Sequence, residues 1–339
     1  MKNCGNIKNL DMEERIAVLI ERFKREQGDI LILSHEAPDG DSMGSGLALL
    51  HFLRKKGKKV HFLSVDGVPY MYNFLPGAEE VITDYSGIAD LAVLVDASRV
   101  ERSGLEKPYP FKEVIRIDHH LVGEDYSEYD ILDPGAPSTG NLIYDLLKAW
   151  DRYAIDSAIA TCLYTAILTD TGSFRYSNAT EKAFTDAAEL VELGADPAMV
   201  SRMVYMRKHL TTYRLLLRVL SSLKLDFDGL VAYITILNRD LEETGASRIE
   251  AESFVSYPLS LEGVEIGLKF EEEEGNIWRI SFRGKGKVDL SKVALELGGG
   301  GHFNASGARI EGGMDEVREK VLGVLKRHME RAGLLQERK

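Results

Sequence analysis

Apolar positions along the first half of the chain come in two rhythms. Ile16, Leu19, Ile20 and Phe23 keep the spacing i, i+3, i+4, i+7, which predicts a helix over 12–26. Asp11 is its candidate N-cap, and Glu13 and Glu14 suit the positive end of the helix dipole. Short, mostly apolar runs at 30–34, 60–64, 91–95 and 114–117 read as strands. The run at 91–95 is apolar throughout, as in a sheet covered on both faces. Further helices are predicted over 43–56, closing at Gly57, and over 139–150 and 156–168. Strands alternating with helices predict an α/β fold with a doubly wound, mostly parallel sheet, and ligands of such sheets sit beyond the carboxyl ends of the strands.

From Glu181 the pattern turns long-helical, broken at Gly194 to Pro197. Strands are then expected at 230–236, 264–270 and 278–282, with the acidic run Glu271 to Glu274 and Gly275 as a solvated hairpin tip. A short segment at 173–176 reads as strand or loop. A helix at 292–297 runs into Gly298 to Gly301 and His302, a strand follows at 308–310, and an amphipathic helix at 315–331 closes the pattern. The expected organisation is a catalytic domain at 1–190, a helical linker at 191–222, a smaller α/β domain with a mixed sheet at 223–332 and a tail at 333–339, disordered from Gln336 to Lys339.

Composition narrows the function. The 339 residues carry a net charge of −12, which argues against a long nucleic-acid track because such surfaces are basic. A short anionic substrate held through bound cations stays open, since cations invert the local charge. Two cysteines, Cys4 and Cys162, are too few for a disulfide framework and suit a reducing cytoplasm. No apolar run reaches the roughly 18 residues of a membrane span, and the opening MKNCGNIKNLDMEER has no apolar signal core.

His35, Asp39, Asp41, Asp96, His119 and His120 all follow predicted strands, and Asp170 ends a predicted helix. Carboxylates with some imidazole suit Mn²⁺ or Mg²⁺, whereas thiolates select zinc or iron–sulfur. Six donors (His35, Asp39, Asp41, Asp96, His119 and Asp170) exceed one closed site. Two ions about 3.5–4 Å apart and bridged by one carboxylate would use them all, an arrangement fitting in-line attack of water on phosphorus. Taken singly, Asp41 could cap the helix at Met43 and Asp96 could cap a turn, but adjacent histidines and four acids need a joint explanation. Asp118 is expected to orient His119. Four consecutive glycines before His302 are either a flexible linker or an anion-binding loop feeding a helix N-terminus. Lys285 and Lys287 read as a solvated turn.

The segments HEAPDGD from His35, VDASRVER from Val95, Asp118-His119-His120 and LTDTGSFRYSN around Asp170 resemble the DHH phosphoesterase family. GGGGHFNASG resembles the glycine-rich signature of its associated C-terminal domain. Size and spacing are most similar to the nanoRNase and pAp-phosphatase branch. The resemblance implies two Mn²⁺ ions, with Mg²⁺ as an alternative, and hydrolysis of pNpN-type dinucleotides or short oligoribonucleotides to 5′-mononucleotides. Dephosphorylation of 3′-phosphoadenosine 5′-phosphate (pAp) would be a second activity. By motif position His35, Asp39 and Asp96 would hold one ion, and Asp41, Asp96, His119 and Asp170 the other. His120 would face the scissile phosphate, Arg102 matches the family's arginine, and Arg283, Gly300, Gly301 and His302 would grip the far end of the substrate across an interdomain cleft. Gly123 stands where the family often has Asn, and Pro137, FRGKGK and NASG also depart from it. These departures touch substrate length and 3′-end preference rather than the metal core. The expectation is a cytoplasmic enzyme, monomer or homodimer, without a membrane partner. Rivals are a cyclic-di-AMP phosphodiesterase, an inorganic pyrophosphatase, a RecJ-type exonuclease and a nucleotide-binding sensor with degenerate chemistry.

Overall fold

The computed structural model describes residues 10–121, 123–301 and 303–335. Cys4, His302 and the end of the expected tail, Gln336 to Lys339, lie outside the described residues. The chain divides into two compact units between Arg207 and Lys208.

The first unit contains α1 (Met12–Arg25), β1 (Asp29–Leu33), α2 (Gly40–Lys55), β2 (Lys59–Leu63), β3 (Ala89–Val95), β4 (Phe111–Asp118), β5 (Ile131–Leu132), α3 (Thr139–Asp151), α4 (Ser157–Asp170), α5 (Glu181–Glu192) and α6 (Pro197–Tyr205). Its sheet is wholly parallel in the order β2-β1-β3-β4-β5. The strand period divides β1 between two cores. Ile30 and Ile32 pack with residues of α1 to α6, whereas Leu31 and Leu33 pack with Leu63, Ala92, Leu94 and Val100 under the loops of the other face. The helical face is closely packed. A Cβ on Gly40 would stand 2.4 Å from Thr169 Oγ1, and one on Gly44 would stand 2.4 Å from the Cys162 carbonyl oxygen. These glycines are required for the close approach of α2 to α4.

Helix α2 begins three residues before the predicted start. Asp39, not Asp41, is its N-cap, accepting from the backbone N–H groups of Asp41 and Ser42 at 3.0 Å. The segment 173–176 forms no strand, because Gly172, Ser173 and Phe174 all have φ near +60°.

The second unit contains α7 (Leu210–Leu220), β6 (Lys224–Asp226), β7 (Val231–Ile236), α8 (Asn238–Thr244), a 3₁₀ segment (Arg248–Val255), α9 (Ser256–Leu259), β8 (Ile266–Glu273), β9 (Ile277–Gly284), α10 (Leu290–Glu296), β10 (Gly300–Gly301), β11 (Ala305–Glu311) and α11 (Met314–Arg331). Its sheet runs β10-β11-β9-β8-β7-β6 and is mixed, with β7 and β8 the parallel pair. Two expectations are corrected here. Strand β8 continues to Glu273, so Glu271 is a buried sheet residue rather than part of a solvated tip. It is tolerated because Lys269, two residues earlier on the same strand face, donates to it at 2.9 Å. The glycine run enters a β10–β11 hairpin and not a helix N-terminus. Among the described residues no helix is long and apolar enough to cross a membrane.

Candidate metal centre

In a parallel sheet of order 2-1-3-4-5 the crevice for ligands opens where the strand order reverses, between β1 and β3. His35 follows β1, Asp96 immediately follows β3, and His119 and His120 immediately follow β4. Asp39 caps α2, Asp41 lies in its first turn, and Asp170 is the last residue of α4. The packing of α2 against α4 therefore brings helix-borne acids to the strand ends. Asp96 has φ 55°, in the left-handed region that aspartate tolerates better than most residues, so the chain turns sharply as it leaves β3.

Three groups of donor atoms result: His35, Asp39 and Asp96; Asp41, His119 and Asp170; and Asp96, His119 and His120. His35 Nε2 lies 3.8 Å from Asp39 Oδ1 and 3.7 Å from Asp96 Oδ2. His119 Nε2 lies 3.8 Å from Asp41 Oδ2, 3.6 Å from Asp96 Oδ1 and 3.8 Å from Asp170 Oδ2. These separations are too long for hydrogen bonds and fit atoms arranged around a shared cation. Asp96 offers Oδ2 to the first histidine and Oδ1 to the second, so it stands between the two groups.

The backs of the rings are held as metal-binding imidazoles are held. His35 Nδ1 donates to the Glu36 carbonyl at 2.8 Å and His119 Nδ1 to the Ala136 carbonyl at 3.2 Å, so each turns Nε2 toward the carboxylates. The carboxylates are held too. The first N–H groups of α3, from Thr139 and Gly140, donate to the two oxygens of Asp41 at 2.7 and 2.9 Å. Thr139 Oγ1 donates to Asp96 at 2.9 Å, and Asn178 Nδ2 donates to Asp170 at 2.8 Å. Thr139 and Asn178 were not singled out from sequence. Thr139 carried a usable signal, as the first helical residue after a turn-rich loop, and Asn178 closes the LTDTGSFRYSN segment around Asp170.

Burial first, and then the charge of Asp170, push the Asp41 carboxyl up to about 8. Burial and the neighbouring Asp41 raise Asp96 well above the ordinary carboxylate range. Burial works against protonation of His35, but Asp39 and Asp96 outweigh it and hold the ring's pKa well above its ordinary value. Asp39 moves the other way: burial opposes its charge, but His35 and the donating Ser42 N–H keep its pKa below the usual range. The donor set is all oxygen and imidazole, short of positive charge, and fits hard divalent cations.

His120 is held differently. Its backbone N–H and its Nδ1 both approach Asp118 Oδ1, at 3.1 and 2.6 Å. The predicted role of Asp118 is thus corrected: it orients His120, while a backbone carbonyl meets His119 Nδ1. Burial opposes the charge on Asp118, but His120 and Arg116 together lower its pKa.

Arg102 is exposed on the 3₁₀ segment Val100–Ser103, whose carbonyl at Arg102 receives the Glu36 N–H at 2.6 Å. The loop carrying Arg102 is therefore tied to the loop carrying His35, although its side chain belongs to none of the three donor groups. In the second unit, Arg283 on β9 pairs with Ala305 on β11, and the next β11 residue, Ser306, pairs with Gly301. Arg283, Gly300 and Gly301 share one end of that sheet, and His302 lies outside the described residues.

A family model described as the DHH family, N-terminal domain, matches residues 29–167, and one for the DHHA1 domain matches residues 228–330. The bifunctional oligoribonuclease and PAP phosphatase NrnA of Thermus thermophilus is 31% identical over 334 residues, which are 98% of this chain and 99% of its own. The Bacillus subtilis protein of the same name is 28% identical over 284 residues, 83% of this chain and 89% of its own. The crystal structure of an exopolyphosphatase-related protein from Bacteroides fragilis matches with a TM-score of 0.82 at 29% identity, covering 94% of this chain and 96% of that one.

Proposed function

The chain belongs to the DHH family, and on that premise we propose that it is a phosphoester hydrolase that degrades short oligoribonucleotides to 5′-mononucleotides and also dephosphorylates pAp. The observation that carries the reading is the pair of carboxylate–imidazole groups that meet at buried Asp96. His35, Asp39 and Asp96 would hold one divalent cation, and Asp41, Asp96, His119 and Asp170 a second. Mn²⁺ is the preferred ion in this reading. The chemistry such cations supply when bound is a more acidic water and neutralised charge on the phosphoryl oxygens.

The chain's own residues do the rest. Carbonyls behind His35 and His119 fix which ring nitrogen faces the cluster. The N-terminus of α3 anchors Asp41, and Asn178 anchors Asp170. His120, held through Nδ1 by Asp118, is assigned to the scissile phosphate. Hydrolysis breaks the bond between phosphorus and the 3′ oxygen and leaves a 3′ hydroxyl on one nucleotide and a 5′ phosphate on the next. Arg102, Arg283, Gly300, Gly301 and His302 are assigned to substrate contact. The net charge of −12 favours short substrates, since tracking a long strand needs an extended basic groove with stacking aromatics. The reading places the enzyme in the cytoplasm.

The test is product analysis on 5′-labelled RNAs from the dinucleotide upward, with pAp and cyclic-di-AMP in parallel and Mn²⁺ or Mg²⁺ supplied. Fastest turnover is expected on the shortest RNAs with Mn²⁺, with phosphate released from pAp. No turnover of any short RNA, or faster opening of cyclic-di-AMP, would overturn the reading.

A further inference from the structure

Arg116 interrupts the apolar run of β4, yet it is 2% exposed. A buried guanidinium is costly unless its donors are used. Here they are used on three sides. Nε donates to Asp118 Oδ2 at 2.9 Å and to the Ala97 carbonyl at 3.0 Å, Nη2 donates to the same Asp118 oxygen, and Nη1 donates to the Glu124 carbonyl at 3.1 Å. Asp118 divides its carboxylate accordingly, Oδ2 to Arg116 and Oδ1 to His120. The guanidinium thus fixes the plane of the carboxylate that fixes the imidazole.

The space it occupies is created by a missing side chain. A Cβ on Gly123 would stand 2.2 Å from Arg116 Nη1 and 2.3 Å from both Cζ and Nη2. Even alanine at position 123 would have to displace the guanidinium. Arg116 and Gly123 therefore form a matched pair, and the conformation of Arg116 depends on Gly123 having no side chain.

We propose that Arg116 is a positioning residue for the hydrolysis, acting through Asp118 to lock the ring of His120, and that Gly123 is the residue that admits it. The proposal rests on the phosphohydrolase reading above. A buried lysine could supply charge but not the planar fork that grips Asp118 while reaching two carbonyls.

The test combines kinetics on pApA with nitrogen NMR of the histidine side chains, His120 being assigned by its absence in His120→Gln. In Arg116→Ala and Arg116→Lys, kcat is expected to fall about 10–100-fold, as for other residues that orient an active-site histidine, with KM and Mn²⁺ affinity within about twofold. Gly123→Ala should reproduce the loss of kcat in the native background and add nothing in the Arg116→Ala background. The ring nitrogens of His120 should report one fixed tautomer in the native protein and an average of the two in Arg116→Ala and in Gly123→Ala. Circular dichroism keeps the comparison to folded protein, and millimolar guanidinium should restore part of the activity of Arg116→Ala. Equal cost of Gly123→Ala in both backgrounds, or an unchanged His120 spectrum in Arg116→Ala, would overturn the proposal. Because the spectrum needs no substrate, a native protein that fails to hydrolyse pApA but shows the fixed tautomer would sink the assigned function and leave the clamp standing.

Discussion

In the first unit, buried Asp41 and Asp96 are surrounded by imidazoles and by other carboxylates. In the second, buried Glu271 is met by Lys269 at 2.9 Å and by Arg248 at 3.0 Å. Among the described residues no lysine or arginine forms an ion pair with Asp39, Asp41 or Asp96. The pKa directions follow. Burial and like charge raise Asp41 and Asp96, while Lys269 and Arg248 overcome burial to lower Glu271. A buried carboxylate neutralised within its own fold is structural. A cluster that the fold leaves short of positive charge is arranged for something that arrives from outside.

The largest effect that could break this contrast is at Asp96. Asp96→Asn should lower kcat/KM on pApA by roughly a thousand-fold, corresponding to several kcal/mol of lost charge stabilisation. In chelator the same variant should unfold at a higher temperature than the native protein, because one of the repelling carboxylates is gone. A drop in melting temperature would mean that Asp96 serves the fold and not the site.

Lys269→Met reverses the expectation in the second unit. It leaves Glu271 buried with only part of its partner set, and urea denaturation should show a loss of about 3–5 kcal/mol. Lys269→Met/Glu271→Leu should recover most of it, since a buried pair replaced by apolar groups of similar size is often neutral. Next in size is stabilisation by the cation itself. Mn²⁺ at a hundred times its dissociation constant should add about 2.7 kcal/mol per bound ion to the native protein and little to Asp96→Asn, read by the same denaturation.

The smallest effect concerns pH. Burial opposes the charge of Glu250, but donors on Thr212, Ser247 and Thr211 hold its carboxyl down to about 2, below the 4.5 of a free glutamate. Because the folded pKa is the lower one, its stabilisation is complete above pH 4.5 and is lost as pH falls toward 2. Glu250→Gln should flatten that part of the acid stability curve. An unchanged acid limb would show that Glu250 contributes nothing there.

The cluster of acids and histidines was legible because strand ends are legible: apolar runs stop, and acids and histidines begin. The sequence carried less of what holds the cluster. Asp39 and Asp41 are separated by one residue, and only the observed cap shows that Asp39 starts the helix while Asp41 lies inside it. Glu271 looked solvated because it belongs to a run of four glutamates, and the lysine that neutralises it becomes a partner only through the pleat of the strand. Gly123 read as a departure from a family pattern. Its physical reason, the guanidinium of Arg116, needed the fold that brings residues seven apart together across the end of a strand.

The central claim, that the two donor groups hold two ions through Asp96, is tested most directly by counting Mn²⁺ bound per chain on titrating metal-stripped protein. The account predicts two ions for the native chain, one tightly held ion lost in His35→Gln, and both weakened in Asp96→Asn. A single ion in the native protein, or two ions held as tightly by Asp96→Asn, would contradict it.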